Sequence, residues 1–145
     1  MDIESTLARL KQSKFRASFH LKSKDIEYIK EKGWETIKSH SLDFISKRLA
    51  PAIISNDGKQ TPTHGHPVFP AQHACACCCR GCLQKWHKIE KNRQLTNIEI
   101  NVIVDLILAW LHKEFDNYTS NSENKTIKDK SNRKNNKPKQ LNLFY

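Results

Sequence analysis

Five cysteines crowd into the run CACCCRGC between Cys75 and Cys82. Disulfides staple segments that lie far apart along a chain, and thiols this close together cannot do so. In a reducing compartment such a cluster points to metal binding or thiol chemistry. Four of the seven histidines flank it, in HGHPVFPAQHACACCCRGCLQKWH from His64 to His87. Thiolate and neutral imidazole are the donors that tetrahedral zinc prefers, and Cys79-x-x-Cys82 lets two sulfurs converge on one ion at a turn running into a helix. His87 follows along that helix and His73 precedes the cluster. The expected site is therefore a zinc ion held by His73, Cys79, Cys82 and His87, with Cys78, Cys75 and His66 able to substitute.

The surrounding pattern is helical. Ile3, Leu7 and Leu10 keep helical spacing in an opening segment, Ser23 can cap a second helix with Asp25 and Glu27 in its first turn, and Gly33 ends it. From Trp34, the residues Ile37, Leu42, Phe44, Ile45 and Leu49 recur mostly at three-to-four spacing until Pro51 stops them. Residues 50–72 concentrate Pro, Gly, Asn and Asp, which predicts a long ordered loop with a short strand near Val68. RGCLQKWHKI can form a short helix, and Thr96-x-x-Glu99 writes a capping box for the most apolar helix of the chain. Its expected buried face is Ile98, Val102, Ile103, Leu106, Ile107, Trp110, Leu111 and Phe115, widened by Ile100, Val104 and Leu108. Strand-like alternation is scarce. The fold expected is mainly α: a helical domain at 1–115 with a long ordered Cys/His-rich loop, stabilised by zinc, followed by a disordered basic tail.

Charge is concentrated in that tail. The chain carries a formal net charge of +10. Lys125, Lys128, Lys130, Arg133, Lys134, Lys137 and Lys139 stand against Glu123 and Asp129, so residues 117–139, nearly all of the expected linker at 116–139, account for +5 of it. Such a balance favours a polyanion, and weak, non-specific DNA binding through these seven side chains is the expectation. The longest apolar stretch, VIVDLILAWL, is too short to span a bilayer and contains Asp105. The opening MDIESTLARLKQSKFR has no apolar run of signal-peptide length, so a cytoplasmic location without membrane contact is expected.

NDGKQTP at 56–62, GHPVF at 65–69, QHA at 72–74 and CCRGCLQKWH at 78–87 together resemble the signature of a small bacterial family known as domain of unknown function 4186. The similarity covers the stretch from about Phe15 to Leu111. It implies that Cys78, Cys79, Cys82 and His87 occupy the positions that matter, and that Cys75 and Cys77 depart from the family's small or hydroxylated residues. It implies no reaction. At 140–145 the tail ends in QLNLFY, and Gln140, Leu141, Leu143 and Phe144 resemble the pentapeptide (Gln-Leu, Ser or Asp, Leu-Phe) by which bacterial replication and repair proteins dock on the DNA sliding clamp. Asn142 stands where that motif has another small polar residue.

The function expected from these features is a zinc-stabilised, DNA-associated accessory protein of replication, repair or mobile elements, tethered to the clamp. A small metal-dependent nuclease is the alternative, with His64, His66, His73 and Asp57 supplying a base and metal ligands. A thiol-based redox or metal sensor is the third reading. Paired carboxylates, a Ser-His-Asp set and a phosphate-cradling glycine motif are all absent near the cluster, which weighs against catalysis.

Overall fold

The computed structural model describes the chain through Asn132, with side chains through Asn121. Among the described residues seven α-helices follow one another: α1 (Ile3–Lys11), α2 (Lys14–Ala17), α3 (Ser23–Lys32), α4 (Trp34–Phe44), α5 (Val68–Ala74), α6 (Arg80–His87) and α7 (Asn97–Asn132). A π-helical turn at Ile45–Leu49 extends α4, closed by the Ala50 N–H donating to Ile45 O at 2.8 Å. No strand occurs among the described residues.

The centre of the core is α7. Ile103, Val104, Leu106, Ile107 and Leu111 are almost fully buried, and α1, α4, α5 and the π-helical turn all pack on it. The apolar residues of α4 and its extension, Ile37, Ile45 and Leu49, face it with no exposed surface. Ile98 departs from the expected face and stands 76% exposed in the first turn, while Ile100 takes its place inside. The helix also outlasts the boundary expected at 115: Phe115 and Tyr118 pack against the core, and the Thr119 hydroxyl donates back to Phe115 O at 3.0 Å. No glycine or proline interrupts the sequence between 97 and 132, so the backbone expected as linker from 116 onward continues as helix through Asn132. Lys125, Lys128 and Lys130 fall on that stretch. Arg133, Lys134, Lys137, Lys139, Gln140, Leu141, Leu143 and Phe144 lie outside the described residues.

The strand expected near Val68 is the helix α5 instead. Pro67 and Pro70 sit at its entrance and in its first turn, where a fixed φ suits a helix and a missing N–H leaves nothing unpaired. The loop before it is ordered as expected, and one side chain organises its base. Arg80 is 3% exposed and donates to Leu49 O, Ala50 O and Pro51 O at 3.1–3.4 Å and to Glu90 O at 2.6 Å. The first three are what the end of the α4 segment and the stop at Pro51 leave without helical partners, and Glu90 O belongs to the segment after α6.

The capping box of α7 is present. The Thr96 hydroxyl accepts from Glu99 N at 3.1 Å, and the Glu99 carboxylate accepts from Thr96 N at 3.0 Å and from both Arg93 guanidinium nitrogens at 2.8 and 2.7 Å. Arg93 is the main cause holding the Glu99 carboxyl at about 2, below its ordinary 4.5. A carboxyl lowered in the folded state stabilises the fold above its unfolded value, and that contribution is lost as pH falls toward the folded value. Urea titrations at successive pH should show native stability falling between 4.5 and about 2, with Glu99→Gln lacking that component of the fall. Thr96→Ala should cost about 1 kcal/mol at neutral pH. Arg80→Met, which removes the donor to the Leu49, Pro51 and Glu90 carbonyls while Ala50 O keeps Leu95 N at 2.9 Å, should cost roughly 3 kcal/mol.

Candidate metal centre

The cysteine run is split by a backbone reversal at Ala76. This residue sits at φ 56°, a left-handed conformation that costs an L-residue about 1–2 kcal/mol, and its side chain is fully buried. The turn caps α5: Cys75 N donates to Ala71 O at 2.9 Å and Cys77 N to Gln72 O at 2.7 Å. Its effect is to send the thiols two ways. Cys75 and Cys77 enter the core with no exposed surface, Cys75 against Leu106 O of α7 and Cys77 against Cys75 O. Burial raises both thiols well above the ordinary range, so neither is poised to ionise.

Cys78, Cys79 and Cys82 turn the other way and converge. Their sulfurs all lie within 4.8 Å of one another, with Cys79 to Cys82 at 3.2 Å and Cys78 to Cys82 at 3.5 Å. The geometry is that of a helix start. Cys79 is the extended N-cap of α6, and its sulfur accepts from Cys82 N at 3.4 Å, as a serine or aspartate oxygen would. The x-x spacing places Cys82 at the third position of the helix, where a capping-box side chain reaches back to the cap. Both sulfurs therefore meet at the positive end of the α6 dipole.

A cation completes the cluster. Arg16, 8% exposed, crosses from α2 and directs its guanidinium to Cys82 Sγ at 3.2 Å, Cys78 Sγ at 3.7 Å and His73 O at 2.8 Å. Burial alone would lower the Arg16 value; its bonds to Cys82 and Cys78 outweigh that and raise it. The thiols of Cys78 and Cys79 donate to Cys82 and Arg16 adds to the effect, so the Cys82 value is lowered. Cys78 moves up in compensation, through its bonds to Cys79 and Cys82. Cys79, which Cys78 pulls down, is carried up on balance by its bond to Cys82 and by burial.

The expected histidine ligands stand elsewhere. The His73 ring stacks on Phe19 with centroids 5.2 Å apart, and its Nε2 lies 3.1 Å from both Thr61 O and Pro62 O. It pins the long loop to α2 and α5. His87 Nε2 lies 2.8 Å from Cys75 O, and its Nδ1 is buried without a partner. That pattern, one ring nitrogen on a carbonyl and the other lone pair unused, is how a ligating imidazole is prepared, although neither nitrogen belongs to the convergent sulfur group. His66 Nε2 meets His40 Nδ1 at 3.0 Å and its Nδ1 accepts from Val68 N; burial, then His40, lowers it to about 4. His64 bonds only its neighbour Thr63, and Asp57 is occupied by Gln60, the Arg80 N–H and Lys91. The groups named for a nuclease thus hold the loop together rather than face one another.

Sequence reasoning passed over Arg16, Thr61 and Gln72. The Thr61 hydroxyl donates to Cys78 O at 2.8 Å, and Gln72, 2% exposed, donates to Cys77 O at 3.0 Å. Their signal was available in the QTP and QHA stretches, but only as resemblance and not as chemistry.

Fold and site together define a small helical domain built around a cysteine triplet able to hold a metal ion. The chain belongs to the family described as Domain of unknown function (DUF4186), whose family model matches residues 4–112 and so takes in the whole centre. No solved structure matches the chain. No helix among the described residues is long and apolar enough to cross a membrane. Thr61→Val leaves Cys78 O without its donor and should cost roughly 1–3 kcal/mol in urea unfolding, with Gln72→Leu in the same range through Cys77 O.

Proposed function

We propose that Cys78, Cys79 and Cys82 hold one zinc ion that pins the α6 knuckle and the long loop, in a DNA-associated accessory protein carried to the sliding clamp by its C-terminal peptide. The convergence of the three sulfurs carries the metal part of this reading. At the usual zinc–sulfur distance of about 2.3 Å, tetrahedral ligands lie about 3.8 Å apart, and the separations of 3.2 and 3.5 Å fall just short of that edge, so an ion would need the sulfurs to part by only a few tenths of an ångström. Three thiolates on a divalent cation leave one negative charge, which Arg16 is positioned to balance. His87, with its unused Nδ1, is the fourth ligand that the chain can offer; without it the fourth position falls to water. His73, which the sequence places among the ligands, serves this reading as a loop clamp.

Elemental analysis of protein purified anaerobically should find about one zinc per chain, and a strong chelator should destabilise the domain by several kcal/mol, roughly 3 or more. Cys82→Ser should reproduce the chelator effect, while Cys77→Ser should leave the zinc content unchanged. Protein isolated without zinc but with a disulfide between Cys82 and Cys79 or Cys78 would replace this reading with a redox one.

The clamp and DNA parts rest on the sequence. Leu143 and Phe144 suit an apolar pocket with Gln140 bonding at its rim and Leu141 covering its edge, which supports affinity on the order of micromolar, about −8 kcal/mol. Titration of a KPKQLNLFY peptide against a bacterial clamp should show binding in that range, abolished by Leu143→Ala with Phe144→Ala. Replacing the seven basic tail residues with glutamine should reduce the slope of log DNA affinity against log salt by up to about 6. An unchanged slope would remove DNA from the tail's role.

A further inference from the structure

We propose that the cleft between α1, α2 and α7 binds a small aromatic monoanion, a body of one or two fused rings with a carboxylate at its edge. The cleft encloses about 290 Å³, at the small end of the range for ligand sites, so its occupant is compact. Its lining includes Leu7 and Leu10 of α1, Phe19 and Trp110, which favours a flat apolar body.

The charge around the cleft selects the sign. Glu114 is the one carboxylate among the described lining residues, and it already accepts from Leu21 N at 3.1 Å and faces His20 Nδ1 at 3.1 Å. The cations are less committed. Lys11, at the C-terminal end of α1, is exposed and lines the cleft. Lys113 pairs with Glu4 at 2.9 Å, but with side chains 45% and 73% exposed that pair is solvent-screened and readily exchanged for a ligand carboxylate. Arg16 also borders the cleft, and its guanidinium is taken up by the Cys82 and Cys78 sulfurs and His73 O. Lys11 and Lys113 are therefore the pair that would meet the anion, while Trp110 and Phe19 meet the ring. The cleft adjoins the sulfur triplet through Arg16, but none of the three cysteines lines it.

The test uses 1-naphthoate as probe and neutral 1-naphthamide as its control, followed by amide chemical shifts in the full-length protein. Saturable naphthoate binding is expected, with shifts confined to α1, α2, the residues around Phe19 and the Trp110–Asn117 stretch, and with naphthamide weaker. Lys11→Glu should weaken naphthoate two- to fivefold, the range of an exposed ion pair, and leave naphthamide unchanged. Ala17 is exposed at the rim, so Ala17→Trp can fill the mouth without disturbing the core and should abolish both. Absence of saturable binding, or shifts centred elsewhere, would overturn the site. Equal affinity for the two probes, with Lys11→Glu inert, would overturn its preference for an anion.

Discussion

The arginine between the two sulfurs of the knuckle determines where the knuckle sits. Arg80 follows the N-cap Cys79 directly, and its buried guanidinium is spread over carbonyls from the end of α4, the start of the loop and the segment after α6. A buried cation needs partners, and backbone carbonyls at a helix C-terminus are suitable ones because they carry the negative end of the helix dipole. The arrangement joins three stretches of chain through one side chain. It also fixes the orientation of α6, and with it the direction in which Cys79 and Cys82 point.

A second arginine works on the opposite side. Arg16 comes from a helix of only four residues, α2, which has little intrinsic stability and is held by its contacts with α1 and α5. Its bonds to two sulfurs and to His73 O give α2 a reason to be there. The cysteine cluster is thus flanked by two buried guanidinium groups of different roles: Arg80 holds backbone, Arg16 holds charge. The left-handed turn at Ala76 is what separates the thiols these arginines organise from the two that are simply core.

Much of the helical frame could be read from local pattern. Thr96 and Glu99 announced the start of α7, Gly33 the break between α3 and α4, and Pro51 the end of the α4 segment, because caps and breakers act within a few residues. Cys79 and Cys82 were legible for the same reason. What escaped depends on contacts far apart in the chain. Nothing near Arg16 marks it as a partner for sulfurs some sixty residues later. The apolar Val68–Phe69 pair looks strand-like until the neighbouring prolines are placed at the cap and in the first turn of a helix. His73 and His87 have the right chemistry and spacing for ligands, yet the ring directions depend on Thr61 O and Cys75 O, which no spacing rule encodes. Ile98 was counted in the buried face because periodicity does not tell how far the first turn of a helix projects beyond the layer it packs against.

The π-helical turn after α4 makes the number of residues matter as much as their identity. Such a turn is an α-helix holding one residue more than its pitch accommodates, bonded from Ala50 N back to Ile45 O. The turn takes up its extra residue locally, so the chain beyond it keeps the facing of an uninterrupted α-helix one residue shorter. Directly after it come the carbonyls of Leu49, Ala50 and Pro51 that Arg80 binds. The register of this turn therefore decides which carbonyls are presented to the guanidinium, and a length change that a surface loop would absorb with ease alters a buried set of hydrogen bonds here.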